Sequence, residues 1–244
     1  MVLKTKLFGH VYEFKDVKEV LAKANEERSG DTLAGVSAST AEERVAAKAV
    51  LAELKLSDLR NNPVVGYEED EVTRIIQDDV NEKIYNEIKN WSVSELREWI
   101  LSLRTSGEEI KRISRGLTSE MVAGVAKLMT NMDLVAAASK IRITAHCNTT
   151  IGGEGILAVR LQPNHTTDDP DGIMLSTYEG LSYGIGDALI GLNPVDDSVD
   201  SVMRVLERFH EIKTKWEIPT QICVLAHVTT QMEAVKRGAP TDMI

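Results

Sequence analysis

The sequence predicts an α/β protein in which an N-terminal helical region, residues 1–150, precedes the first three to four βα units of a (β/α)8 barrel, residues 151–244. Two observations predict this fold class. Apolar residues recur at helical spacing through the first part of the chain, whereas short β-branched and leucine-rich runs alternate with helical periodicity after residue 155. Alternation of that kind indicates a parallel sheet whose strands are joined by right-handed helical crossovers.

Composition limits the classes of protein to consider. With 244 residues, 43% of them apolar, the chain can bury the core of one or two domains. Its formal charge of -10 argues against a nucleic-acid surface, and no apolar run is long enough for a membrane span. Cys147 and Cys223 lie far apart and in no metal-like spacing, which favours a reducing cytoplasm.

The first region is predicted to be helical throughout, because apolar stripes and capping signals follow one another along it. The signals are a stripe at Val17, Val20, Leu21 and Ala24 closed by Gly30, capping boxes at Ser92–Glu95 and Thr105–Glu108, a helix from Val72 toward Trp91, and a helical face from Met121 to Met132.

The second region is predicted to alternate strand and helix. Strands are expected at 156–161, 188–192 and 221–227, helices at 173–183, 199–216 and 229–237, and a further strand from 243. Because half a barrel would leave an apolar strand edge open, the sequence indicates an incomplete barrel, with a small open α/β sheet as the alternative.

Polar side chains at the ends of two predicted strands are the candidate ligand-binding residues. Arg160 is the single basic residue among nine acidic ones in residues 151–200, and Gln162 shares its strand face. Asn193, followed by Pro194, ends the next strand. A guanidinium and carboxamides at such ends can hold a small polar substrate. The alternatives are a salt bridge for Arg160 and an ordinary turn at Asn193-Pro194.

The remaining polar groups give weaker signals. The acidic segment can concentrate a cationic substrate, although Asp168, Asp169 and their neighbours also suit helix N-caps. His227 ends a strand without a nucleophile or acid at recognisable spacing, so a structural role is favoured. No residue is assigned as a catalytic acid, base or nucleophile, and no spacing predicts a metal bound by side chains.

Several long runs of the sequence resemble the large (heavy) subunit of ethanolamine ammonia-lyase. They include RNNPVVGYEEDEVTRIIQDDVNE, IKNWSVSELREW, NTTIG, RLQPN, YEGLSYGIGDALIGLNPV and IPTQICVLAHVTTQMEAVKRGAP. The resemblance implies a TIM-type barrel and an adenosylcobalamin-dependent radical lyase that converts ethanolamine to acetaldehyde and ammonia. It also implies that Arg160, Gln162 and Asn193 bind substrate and that Pro194 touches the cobalamin. The implied partners are a small (light) subunit and further copies of the chain, and the implied location is a cytoplasmic bacterial microcompartment.

The same resemblance places the acidic substrate contacts of the family beyond residue 244. We therefore expect an incomplete chain that is inactive alone. Two other interpretations stay open: a fragment that only assembles with partner chains, and a barrel lyase or aldolase that uses Arg160 and His227 on another small polar substrate.

Overall fold

The computed structural model describes residues 3–244, which contain both helices and parallel strands, so the predicted α/β character is confirmed. The chain divides into two compact units. The first ends at Arg142 and the second runs from Ile143 to Ile244. Across residues 3–244, no helix combines the length and the apolar character that crossing a membrane requires.

The first unit is a β-hairpin followed by short helices. Its elements are β1 (Lys4–Leu7), β2 (His10–Glu13), α1 (Val17–Lys23), α2 (Ser29–Leu33), α3 (Ala41–Glu53), α4 (Leu56–Asn61), α5 (Glu71–Asp79), α6 (Glu82–Ile88), α7 (Val93–Leu101), α8 (Gly107–Ser114), α9 (Ser119–Lys127) and α10 (Asn131–Lys140).

The hairpin corrects the expectation that this region is helical throughout. Strands β1 and β2 pair antiparallel around Phe8 and Gly9, whose φ angles of 52° and 81° are those of a type I′ turn. That turn matches the right-handed twist of paired strands, which allows so short a hairpin to form. The sequence carries only Phe-Gly there, rather than the Asn-Gly or Asp-Gly pair that signals such a turn.

Several helices end earlier than the sequence predicts. The stripe of α1 is buried as expected, but the helix ends at Lys23 and Gly30 lies inside α2. The helix expected from Val72 toward Trp91 is two helices, because the Asn81 side chain caps α6 by accepting from the Ile84 N–H at 3.1 Å. Short polar side chains that satisfy free N–H groups start a new helix more effectively than apolar spacing continues the old one.

Capping also decides the helices around the methionine face. The Ser92–Glu95 box is confirmed, whereas α8 is capped by Ser106 with Glu109 instead of Thr105 with Glu108. The face expected from Met121 to Met132 is wrong at its far end. Helix α9 ends at Lys127, and Met132 lies in α10 with 72% of its surface exposed.

The second unit alternates strand and helix after a short hairpin. Its elements are β3 (Ala145–His146), β4 (Thr150–Ile151), β5 (Arg160–Leu161), α11 (Pro170–Ser182), β6 (Leu189–Leu192), α12 (Val199–Lys215), β7 (Ile222–Val224) and α13 (Val228–Lys236). Strands β5, β6 and β7 form a parallel sheet in sequence order. Every predicted helix of this region is present.

The strands are shorter than predicted. Only Arg160 and Leu161 of the first predicted strand pair with a neighbour, and residues 243–244 lie outside any strand. In the core of this unit, one face of the sheet packs against the buried side of α12. The apolar stripe of α12 at Val202, Val205 and Phe209 predicts this packing. In residues 3–244 no closed sheet is formed, so the barrel is not confirmed.

Candidate functional site

The parallel sheet has a core face and a second, polar face. Leu161, Ile190 and Ile222 lie side by side in the register of the three strands and are buried against the helices. Side chains alternate along a strand, so Arg160 and Gln162, which flank Leu161, project from the opposite face. We call this opposite side the inner face. It collects the predicted site residues of β5.

In the described part of the chain, the Arg160 guanidinium has two unsatisfied donor atoms on this face. Its Nε and Nη2 atoms are buried and have no hydrogen-bond partner among the described residues. The alternative of a salt bridge to a neighbouring aspartate is therefore not what the structure shows. Charged donors that are withdrawn from water without a partner are costly, which makes them candidates for meeting a ligand oxygen.

Gln162 and Asn193 meet at the carboxyl ends of β5 and β6. The Gln162 Nε2 atom donates to Asn193 Oδ1 at 3.4 Å. The main-chain N–H of Asn193 donates to Asn164 Oδ1 at 3.0 Å, which ties the end of β6 to the loop after β5. Both carboxamides are exposed and retain donor and acceptor atoms for a ligand. Two of the three predicted substrate-binding residues are thus in contact, and the third shares their face.

Gly191 and Cys223, which the sequence did not single out, occupy the next positions of the inner face. They are register partners in β6 and β7. A Cβ atom at Gly191 would lie 2.5 Å from Cys223 Sγ and 2.9 Å from the Cys223 carbonyl oxygen. Burial raises the pKa of the Cys223 thiol, and the nearby positive charge of Arg160 opposes that rise. A glycine inside an apolar strand was the available signal for this close approach.

Pro194 lies at the rim of the same edge, among apolar side chains that face solvent. The proline is half-buried, while Val195 is 67% and Leu225 is 47% exposed. Exposed apolar groups at the ends of neighbouring parallel strands provide a surface for an apolar ligand face. This surface adjoins the two carboxamides.

His227 has a structural role in the described chain. His227 caps α13, where its Nδ1 atom lies 2.8 Å from Thr229 Oγ1 and accepts from the Thr229 N–H. The structural role favoured for His227 is therefore confirmed. Between residues 3 and 244, no group of three or more His, Cys, Asp or Glu could hold a metal ion.

The aspartates of the βα loops divide into two kinds. Asp169 caps α11 by accepting from the Gly172 N–H at 2.8 Å, as the capping interpretation predicts. Asp168 and Asp197 do not cap their own helices. Asp168 accepts from main-chain N–H groups of the β6–α12 loop, and Asp197 accepts from the N–H of His227 in the β7–α13 loop. Sequence spacing carries no signal for such bonds between loops.

The opposite, amino-terminal edge of the sheet is sealed by the hairpin of β3 and β4. Its loop inserts Asn148, whose Nδ2 atom donates to the Thr220 carbonyl at 2.9 Å, and Thr149, whose N–H donates to Gln221 Oε1 at 2.9 Å. Gln221 is fully buried and also donates to the Ala188 carbonyl. Buried polar groups that are satisfied in this way stabilise one arrangement of the sheet. The end of the sheet that stays open to a ligand is therefore the one at which the strands end, and we call it the carboxyl edge.

Comparison with known proteins identifies the family. Residues 12–244 match the family described as ethanolamine ammonia lyase large subunit (EutB). The chain belongs to the ethanolamine ammonia-lyase large-subunit family. Over its full 244 residues it is 60% identical to the ethanolamine ammonia-lyase large subunits of Escherichia coli (strain K12), Escherichia coli O157:H7 and Salmonella typhimurium (strain LT2). The chain spans about half, 54%, of the length of these relatives.

Membership of the ethanolamine ammonia-lyase family agrees with the resemblance drawn from the sequence runs. It does not by itself test the roles of individual residues, so the assignments of Arg160, Gln162, Asn193 and Pro194 stay predictions. The geometry adds that the first three share the inner face and the carboxyl edge of one sheet.

Proposed function

We propose that this chain carries the arginine and the two carboxamides of the substrate site of an ethanolamine ammonia-lyase, which converts ethanolamine to acetaldehyde and ammonia. One observation carries the proposal: in a chain of this family, the Nε and Nη2 atoms of Arg160 are buried and have no hydrogen-bond partner among residues 3–244. A small substrate with a hydroxyl oxygen would supply the acceptor that these donors lack.

The three side chains would divide the substrate between them. Arg160 would donate to the hydroxyl oxygen through its guanidinium N–H groups. Gln162 and Asn193 each present a carbonyl oxygen that accepts from the substrate ammonium and an NH2 group that donates. The acidic segment to which they belong favours approach of a cation, because residues 151–200 hold nine carboxylates and one Lys or Arg side chain, that of Arg160.

The carboxyl edge also suits the cofactor that the family uses, adenosylcobalamin. Pro194 and the exposed apolar side chains of Val195 and Leu225 would lie against its corrin ring, since that ring offers a broad apolar face. When bound, adenosylcobalamin supplies the radical that abstracts hydrogen from the substrate, by homolysis of its cobalt–carbon bond. This chain's residues would orient the substrate and keep its hydroxyl and amino groups in place.

The β5–β6–β7 sheet is proposed to be part of a (β/α)8 barrel. Next to β7, the Asp242 N–H donates to the Ile222 carbonyl at 3.1 Å, which brings residues 241–242 beside the amino-terminal end of that strand. We expect the 244-residue chain alone to be inactive, because the inner face described above offers no carboxylate to hold the substrate ammonium. We further propose that the chain assembles with a small (light) subunit and with further copies of itself. Its proposed location is a cytoplasmic bacterial microcompartment.

The test is acetaldehyde formation by a full-length large subunit that contains these residues, combined with small subunit, adenosylcobalamin and ethanolamine. Arg160→Met removes both donors and should lower kcat/KM about a hundredfold, since a hydrogen bond from a charged group contributes about 1.5–3 kcal/mol. Arg208→Met is the matched control, because Arg208 is a half-exposed arginine of α12 paired with Glu211 and Asp171. An Arg160→Met enzyme with unaltered kcat/KM would refute the site.

A further inference from the structure

Asp168 is a buried carboxylate that is bonded to a neighbouring loop. The residue is only 6% exposed and its backbone has a φ of 52°, in the left-handed region that Asp tolerates better than most residues. Asp168 Oδ2 accepts from the Val195 N–H at 2.8 Å and from the Asp196 N–H at 2.7 Å, and Oδ1 lies 3.0 Å from the Val195 nitrogen. These are charge-assisted bonds inside the protein, and they are stronger than bonds between neutral groups.

The bonds of Asp168 hold the segment that contains two predicted site residues. Asn193 and Pro194 directly precede Val195, and the N–H of Asn193 donates to Asn164 Oδ1. The β5–α11 loop therefore grips this segment on both sides of Pro194, through Asn164 before it and Asp168 after it. Gln162, which contacts Asn193, leads into the same loop.

The same arrangement recurs at the next pair of loops. Asp197, in the β6–α12 loop, accepts from the His227 N–H at 3.1 Å and 3.3 Å. Thus, in two successive pairs of βα loops, a carboxylate of one loop accepts hydrogen bonds from the main chain of the following loop. Neither carboxylate is needed for capping, since Asp169 caps α11 and Ser198 caps α12.

We propose that Asp168 is a positioning residue of the substrate site, which sets the place of Asn193 and Pro194 relative to Gln162. This inference rests on the proposed function. Asp168 does not touch the substrate; it acts through the main chain of Val195 and Asp196. Without these bonds Asn193 would no longer be held where it can bind the substrate, so the loss should appear in KM for ethanolamine.

The test compares Asp168→Gly with Asp168→Asn in the full-length large subunit, assembled with small subunit and adenosylcobalamin. Glycine accepts the positive φ but removes both oxygens, whereas asparagine keeps one acceptor oxygen and the same backbone preference. We expect KM for ethanolamine to rise about tenfold in Asp168→Gly, with kcat lowered less than about threefold, because the segment binds ground state and transition state alike. Asp168→Asn should restore KM to within about threefold of the parent enzyme.

Two further variants keep the outcomes distinct. Thr149→Val is the matched control: it removes the bonds of the Thr149 hydroxyl to the Asp187 carbonyl and to the Gln221 side chain, at the opposite end of the sheet, and should leave KM unchanged. Asn193→Ala tests the site itself. If Asn193→Ala raises KM but Asp168→Gly does not, the positioning role is overturned and the proposed function stands. If neither variant raises KM, both fail. Should Asp168→Gly not fold, Asp168→Glu, whose carboxylate is displaced by one methylene, must raise KM; an unchanged value overturns the role.

Discussion

Replacement of Arg160 by methionine should make the ligand-free protein more stable while it destroys the proposed site. Methionine has nearly the length of arginine and fills irregular apolar space, but it carries no donor. The change removes two buried nitrogen atoms, Nε and Nη2, that have no partner within the described chain. A gain in stability on replacement is expected of a ligand-binding group that destabilises the ligand-free protein.

The expected magnitude follows from those two atoms. A buried donor left unsatisfied costs about 1–3 kcal/mol. Even a buried ion pair, whose mutual attraction is lost with it, can be replaced by apolar residues of similar volume with an effect that is neutral or stabilising by about 1–4 kcal/mol. Imperfect packing of the methionine offsets up to about 1.5 kcal/mol of this gain in stability. The net expectation is that the free energy of opening of the β5–β6–β7 sheet rises by about 1–3 kcal/mol.

Native-state hydrogen exchange of this 244-residue chain, read by mass spectrometry on peptides that contain β6 and β7, measures that free energy separately from the first unit. Arg208→Met serves as the control and should change it by less than about 0.5 kcal/mol, because exposed ion pairs contribute little. A fall of more than about 1 kcal/mol in Arg160→Met would refute the reasoning, since it would mean that the guanidinium stabilises the fold instead of awaiting a ligand.

Three further predictions concern packing, pH and capping. Gly191→Ala should destabilise the second unit by about 1–2 kcal/mol in urea unfolding, and Cys223→Ala in the same chain should recover part of the loss, because Cys223 Sγ is the nearest atom to the new methyl group. Burial raises the pKa of Asp242, but hydrogen bonds from Lys213 and from the Ile222 N–H outweigh it, so the pKa is lowered. This carboxylate therefore contributes stability above its ordinary pKa of about 4 and loses it as pH falls through the lower folded value. Asp242→Asn should thus be less stable than the parent at pH 7 in thermal melts, and the difference should shrink as the pH falls below about 4. Ser106→Ala should lower stability by about 1 kcal/mol by calorimetry, since Ser106 caps α8.

The sequence predicts the second unit better than the first because its signals there are periodic and buried. Helix α12 follows its stripe at Val202, Val205 and Phe209, all of them in the core. The ends of the strands are less predictable. A run such as residues 156–161 has strand composition, yet pairing depends on a neighbour across the sheet, and only Arg160 and Leu161 find one.

The sequence indicates those candidate site residues whose side-chain type suggests a role. It does not indicate those whose role depends on contacts made only in the folded chain. Arg160 stands out as a lone base, and Gln162 follows from strand alternation. Asp168 looks like a helix cap from its position before Pro170, and only the fold shows that its oxygens accept from Val195 and Asp196. Main-chain donors of another loop leave no trace in spacing, so residues of this kind are missed.

Gln162 and Asn193 are proposed to bind one substrate together with Arg160. The most direct test is kcat/KM for ethanolamine in Gln162→Ala, Asn193→Ala and the double variant of the assembled enzyme. We predict that each single change lowers kcat/KM about tenfold or more, and that the double change costs less than the product, because the two carboxamides contact each other at 3.4 Å and share one ligand. A single variant with the parent kcat/KM, or strictly multiplicative losses, would contradict the account.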